Sequence, residues 1–450
     1  MRATRLPARP RVAACLRAGA FVLLTVVVLL LSATPAGAAQ NTIAQPDDGG
    51  QYTSLELDSA GNPVVSHYDA AIGELRIVHC ATADCTGSRT LASPDATTND
   101  VGERTSLALA AGDVPVATYY DVDVKDLKFV HCGNAACTAP TIRTIDSVFP
   151  PNINVGLFSS IVVNGSGNPV IAYYTEPFDI LKLVICSDPT CGTYNDYDVD
   201  AVAITGLYPS LKLDALGFPV ISYYDQSAAD LKVVRCQDAT CSTKVITTVD
   251  GSGGDAGKYT SLALDAAGFP VVSYYNESQG DLKVIHCGDA NCSGGNTIAS
   301  PDSTGDVGQH TSLVLDAAGN PIVSYYNVTG TALRVLHCGN AACMAGNTIT
   351  TPDAAGNVGE YTSLALDGVG SPVVSYYDAS DMKLNVLHCG DPACAGTSIA
   401  VGGVTELSNV LQRSGSVGHS PLFGLGALAG LVLVTAAVGG LVALRGHRAS

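Results

Sequence analysis

Hydrophobic and polar positions along the chain follow one scheme repeated seven times. In one copy, Tyr259-Thr-Ser-Leu-Ala-Leu-Asp265 contains a Ser-Leu-x-Leu-Asp run that predicts a strand, A. Gly268-Phe-Pro-Val-Val-Ser-Tyr-Tyr275 follows, and its strand, B, is apolar or aromatic at nearly every position. That pattern predicts a strand buried on both faces. Asp281-Leu-Lys-Val-Ile-His-Cys287 predicts strand C, and Asn296-Thr-Ile-Ala299 predicts strand D. An Asp-x-x-Gly-x-Pro turn, as in Asp316 to Pro321, joins A to B. Its glycine supplies positive φ, and its proline takes the first place of the next strand. The first cysteines of the copies, Cys80, Cys132, Cys186, Cys236, Cys287, Cys338 and Cys389, are 50 to 54 residues apart.

Four short antiparallel strands per copy, seven copies and a period near 50 predict an all-β fold, a seven-bladed β-propeller over 39–402. A linear solenoid is the alternative. Against it, Asn41-Thr-Ile-Ala44 is an extra strand D placed before the first strand A, as ring closure requires. Thr397-Ser-Ile-Ala400 competes for the same slot, which leaves the mode of closure open.

The Leu-Asp-x-x-Gly-Asn-Pro-Val-Val-Ser turn resembles the repeats of bacterial seven-bladed propeller proteins of the NHL-like and SBBP (beta-propeller repeat) type. The similarity spans about residues 41–400. It implies the fold and no single activity, because such repeats carry many functions. The paired cysteines and the Tyr-Tyr doublet depart from that pattern.

The ends of the chain have another character. Arg2, Arg5, Arg9, Arg11 and Arg17 precede an apolar run from Ala20 to Leu31, and Ala36-Gly37-Ala38 offers a cleavage site. Residues 1–38 therefore read as a signal peptide. Leu422 to Leu444 is uncharged and apolar, long enough for a transmembrane helix, with 403–421 as linker. Arg445, His447 and Arg448 in the tail 445–450 predict a cytoplasmic end and an extracellular propeller at the cell membrane. The net charge of −18 argues against a nucleic-acid partner.

Fourteen of the fifteen cysteines form Cys-x4-Cys pairs, one per copy: Cys80/Cys85, Cys132/Cys137, Cys186/Cys191, Cys236/Cys241, Cys287/Cys292, Cys338/Cys343 and Cys389/Cys394. In an exported chain they read as local disulfides across each C-to-D hairpin. His79, His131, His286, His337 and His388 precede first cysteines and raise a metal alternative. Ile185 and Arg235 replace the histidine where the cysteines remain, which favours disulfides and no metal.

The A→B and C→D connections share one face and are monotonous. The B→C and D→A connections share the other and absorb most length variation, so function is expected there. Asp225 and Asp378 end B strands on that face, and Asp95, Asp146, Asp302, Asp306 and Asp353 lie in D→A loops. Calcium is the natural cation for such oxygens, but no loop shows a dense Asp-x-Asp-x-Asp series, and Asx-turns at strand ends account for them without a metal. Copy 3 breaks the pattern most, and Phe149 and Phe178 in its loops form a candidate apolar contact patch with an unknown protein or glycan partner. Arg104, Arg143, Arg235 and His310 are scattered single departures without a nucleophile motif. The sequence thus favours a non-catalytic binding or scaffold module over a propeller-type carbohydrate-active enzyme or lectin. The chain has no tryptophan to stack a sugar, and the Tyr-Tyr pairs read as core.

Overall fold

A computed structural model describes residues 40–147, 153–176, 178–202, 204–252 and 254–401. The expected signal peptide, linker, transmembrane helix and tail, and Phe149, lie outside these residues. Among the described residues no helix is long and apolar enough to cross a membrane.

The described chain is a seven-bladed β-propeller of antiparallel four-stranded blades. Blade 5 is typical: strands A to D are Ala256–Leu264, Pro270–Asn276, Asp281–His286 and Thr297–Asp302. All seven residues of Pro270–Asn276 are buried, and the B strands of the other blades match it. Each A strand touches the A strands of both neighbouring blades, so the innermost strands close a cycle around an axis.

The hydrophobic core is divided into seven clusters, each lying between two blades. One joins Val220, Leu231 and Val233 of blade 4 to Leu262, Val272, Tyr274 and Ile285 of blade 5. Another joins Val373, Leu384 and Val386 of blade 7 to Leu55, Val65 and Val78 of blade 1. A blade therefore buries its apolar faces only when both neighbours are in place.

The Thr-Ser-Leu motif of strand A binds the blades polarly as well. In all seven blades the serine hydroxyl accepts the backbone N–H of the apolar residue in the next blade's motif, at 2.9–3.2 Å. The bond from Leu55 N–H to Ser363 Oγ links the first blade to the last. The first tyrosine of each doublet is buried, and its hydroxyl donates to an aspartate at the end of the preceding blade's strand D. The pairs are Tyr119–Asp95, Tyr173–Asp146, Tyr223–Asp200, Tyr274–Asp250, Tyr325–Asp302 and Tyr376–Asp353.

Blade 7 settles the closure. Its strands are Val358–Leu366, Pro372–Asp378, Lys383–His388, then the N-terminal Gln40–Asp48, then Thr397–Val401. The N-terminal strand takes the D position, antiparallel to Lys383–His388. Its Asp47 meets His67 of blade 1 at 3.1 Å, the seventh instance of the interblade pair, with histidine in the tyrosine place. Thr397–Val401 does not compete for that place. It adds a fifth strand outside, parallel to the N-terminal one.

All seven Cys-x4-Cys pairs are disulfides. They lie within the C-to-D hairpins, as expected. The second cysteines, Cys85, Cys137, Cys191, Cys241, Cys292, Cys343 and Cys394, do not lie on strand D. Each sits in the turn after strand C, at φ 50–57°. The reason is a tight turn: each of these cysteines donates its N–H to the carbonyl three residues back, at 2.9–3.1 Å, as Cys85 does to Thr82. The bond therefore ties the turn to the end of strand C and does not reach strand D. Both sulfurs of every pair are buried in an interblade core cluster, so the disulfides also serve as apolar packing.

Polar side chains shape the same loops, as where Asp289 Oδ1 accepts the N–H groups of Asn291 and Ser293. The histidines before the first cysteines have another partner: His79, His286, His337 and His388 meet the A→B turn aspartates Asp58, Asp265, Asp316 and Asp367 at 2.8–3.1 Å. In blade 4, Arg235 makes the same contact with Asp214 at 2.6 Å.

Candidate functional site

The D→A connection enters strand A through a glycine that only the ring geometry explains. Gly50, Gly102, Gly156, Gly206, Gly257, Gly308 and Gly359 all have positive φ. A Cβ there would lie 2.5–2.9 Å from the strand-C leucine of the preceding blade. Two residues later strand A bulges, and its register with strand B shifts.

The bulge holds one non-glycine residue per blade at φ 52–55°: Tyr52, Arg104, Phe158, Tyr208, Tyr259, His310 and Tyr361. This region is sparsely populated for bulky side chains and costs on the order of 1 kcal/mol or more each. The seven side chains form a collar around the axis. Ring centroids of successive members lie 4.3–4.7 Å apart for Phe158–Tyr208, Tyr208–Tyr259, Tyr259–His310, His310–Tyr361 and Tyr361–Tyr52. The Arg104 guanidinium fills the remaining place, 5.3 Å from the Tyr52 centroid and 4.2 Å from that of Phe158. Threonines one residue on tie the collar down. Thr53, Thr260, Thr311 and Thr362 donate to the carbonyls of Tyr361, Tyr208, Tyr259 and His310.

The collar lines an axial cavity of about 390 Å³. A second groove, of about 550 Å³, runs from Tyr208 past Gln226, Ala229 and Ser278 of B→C connections to Asp255 at a D→A connection, so the collar opens toward that face. Burial and the nearby Arg104 charge press the His310 imidazole far below its ordinary value, to about 3. Burial raises the collar tyrosines above the ordinary phenol range. Among the described residues Arg104 has no ion pair, and its Nε is buried without a hydrogen-bond partner. On the rim, the residue before each collar member is Gln51, Glu103, Leu157, Leu207, Lys258, Gln309 or Glu360. Four residues beyond the collar, blades 1 and 4 carry Glu56 and Lys212. Glu56 is open to solvent yet ringed by protein, so desolvation raises its carboxyl and Lys212 lowers it in part.

Of the residues singled out from sequence, Arg104 and His310 join the collar, whereas Phe178, Asp225 and Asp378 do not line its cavity. Phe178 is 63% exposed in the B→C connection of blade 3. Asp225 and Asp378 are not an open acidic rim. Each is 4% exposed, held as an Asx-turn by the N–H of Ala228 and by those of Ser380 and Asp381 respectively. Asp225 is also paired to Lys232 at 2.6 Å. The D→A aspartates are spent on tyrosine hydroxyls, and among the described residues no group of three His, Cys, Asp or Glu side chains is placed to hold a metal ion. Sequence reasoning missed the collar. Arg104 and His310 stood out as isolated departures. Aligning the position before Thr-Ser-Leu across copies would have placed both in one column with four tyrosines and a phenylalanine.

No protein-family model matches the chain, and no curated protein does. Solved structures are similar at low identity. A protein of unknown function from Dyadobacter fermentans is 10% identical, with 78% of this chain and 98% of that one covered and a TM-score of 0.46. The SapL1 lectin, in complex with alpha methyl fucoside, is 11% identical over 68% and 97%, also at 0.46. The polysaccharide lyase Uly1 is 8% identical over 76% and 89%, again at 0.46. At such scores none bears on what this chain does.

Proposed function

We propose that the protein is a non-catalytic binding module on the outer side of a cell membrane, with repeats related to the NHL-like and SBBP type. The helix expected over 422–444 tethers it, and a partner docks on the face of the B→C and D→A connections. The collar is the observation that carries this reading. Seven side chains sit at one axial mouth on that face, each at positive φ, and strain of this kind gathers at functional positions. The disulfides fit an oxidising, extracellular setting. Catalysis is a poorer account: among the described residues no carboxylate is hydrogen-bonded to His310 to orient it as a base.

The contact patch expected in blade 3 belongs to the same face. Phe178 is exposed there. The test is cross-linking of the full-length protein to partners on intact cells. Phe149→Ala with Phe178→Ala is expected to cut capture at least tenfold, about the loss of one contact hot spot, while the melting temperature stays within a few degrees. Phe218→Ala with Phe269→Ala, in A→B turns on the opposite face, should leave capture intact. Equal capture by both variants would remove the patch from the proposal.

A further inference from the structure

We propose that the axial cavity is a receptor for a small monocarboxylate, bound through Arg104 and the collar's hydroxyls. The inference rests on the reading of this face as the binding face, and it names the chemistry that the mouth accepts.

The packing of the collar decides which ligand fits. Successive rings lie 4.3–4.7 Å apart between centroids and are inclined at 48–54° to one another, so none stacks flat and each face is partly covered by its neighbour. A partly covered face is no broad platform for a sugar. The Arg104 cation among the rings repels a quaternary ammonium ion.

The polar groups point the same way. The Tyr52 and Tyr361 hydroxyls are neighbours, and so are those of Tyr208 and Tyr259. Phenols held protonated are donors, and His310, held neutral, keeps one N–H. Arg104 is a permanent cation, and among the described residues it has no counter-ion although the chain carries a net charge of −18. Its Nε is closed off from solvent, so a ligand would meet the terminal guanidinium nitrogens. A guanidinium with free donors matches a planar carboxylate. One cation neutralises one charge; the rim carboxylates Glu103 and Glu360 oppose a second, and the rim cation Lys258 is already paired with Asp255 and Glu277. That selects a monoanion over inorganic phosphate. The carboxylate can belong to a free acid or to a peptide chain end.

Full-length protein in detergent is titrated with sodium acetate, sodium benzoate, inorganic phosphate, acetamide and tetramethylammonium chloride. Binding is followed by calorimetry and by the His310 ring resonances. Acetate and benzoate should bind and shift those resonances, with acetamide, phosphate and tetramethylammonium at least tenfold weaker. Arg104→Met should weaken benzoate at least tenfold. Tyr361→Phe, which removes one hydroxyl and keeps the stack, should weaken it several-fold and stands in if Arg104→Met does not fold. Phe218→Ala should change nothing. A peptide with a free C-terminus that outbinds benzoate, and loses this on amidation, makes the chain end the natural source; the reverse order makes it a free acid. Absence of carboxylate binding up to about 10 mM, equal binding of acetamide or tetramethylammonium, tighter phosphate, or full binding by both variants overturns the inference. If carboxylate binding fails while the Phe149/Phe178 pair still governs capture, the binding face stands and only its axial chemistry falls.

Discussion

Single residues in this protein are explained mostly by the neighbouring blade. Gly308 is the sharpest case. It has φ +105°, and a Cβ would lie 2.7 Å from Leu282 Cα and 2.9 Å from Leu282 N, backbone that cannot swing aside. Gly319 has φ +81° with nothing within 4 Å. Gly319→Ala should cost about 1 kcal/mol through backbone strain alone. Gly308→Ala should cost about 2–3 kcal/mol more, since two blades must part. Chemical denaturation of both variants checks this; equal losses would show that the interblade contact yields. The sequence revealed residues of this kind unevenly. The A→B turn glycine was legible because its role is local. The cysteine pairing was legible from spacing, but the turn that draws Cys292 back toward strand C was not. Ser54, Ser106 and their counterparts read only as strand residues, because their partners lie 51 to 55 positions away, or 308 between the ends. Asp225 read as a rim acid because nothing local says that Lys232 and a turn N–H already hold it.

Strands show the same division between local and distant causes. Strand B was legible at every position, since burial on both faces writes itself as an unbroken apolar run. The two terminal strands were legible as strands but not in their order, because both follow the Thr-Ile-Ala type. What separates them is Asp47, which faces His67 and Arg76 of the next blade, and Ala44, which joins the core between blades 7 and 1. Thr397–Val401 pairs only along its inner edge and is mostly exposed or half-buried. Deleting 40–48 should therefore lower the melting temperature by roughly ten degrees or more, as an interface opens and a strand edge is bared. Deleting 397–401 should lower it by only a few degrees. Thermal scans of the two truncations decide it, and the opposite order would assign closure to the C-terminal strand.

Across the whole molecule the number of blades was legible, because copy number and blade number are the same count. The axis was not, since it is built from one residue in each of seven distant segments. Charge also acts at this scale. Eleven aspartates have carboxyls held below their ordinary value, against five carboxyls raised. At Asp265, Asp316 and Asp367 burial raises the carboxyl. Hydrogen bonds from His286, His337 and His388 and from turn N–H groups outweigh it. A carboxyl lowered in the folded state binds its proton more readily in the unfolded chain. Its stabilisation is complete above about pH 4 and is lost as pH falls through the folded value. Urea midpoints should hold from neutrality to about pH 5 and drop steadily below pH 4. A flat profile down to pH 3 would remove the turn aspartates from the account of stability.

The fifth strand of blade 7 gives the ring a mechanical character. Thr397–Val401 lies parallel to Gln40–Asp48, so a pull along the strand from Val401 loads their hydrogen bonds together, in shear. Such a pull meets this outer pair before it reaches the pairing of Gln40–Asp48 with Lys383–His388 that closes the ring. Under such a pull the outer strand is expected to slip first, releasing about 3.3 Å of chain for each residue, while the closing pair stays unloaded.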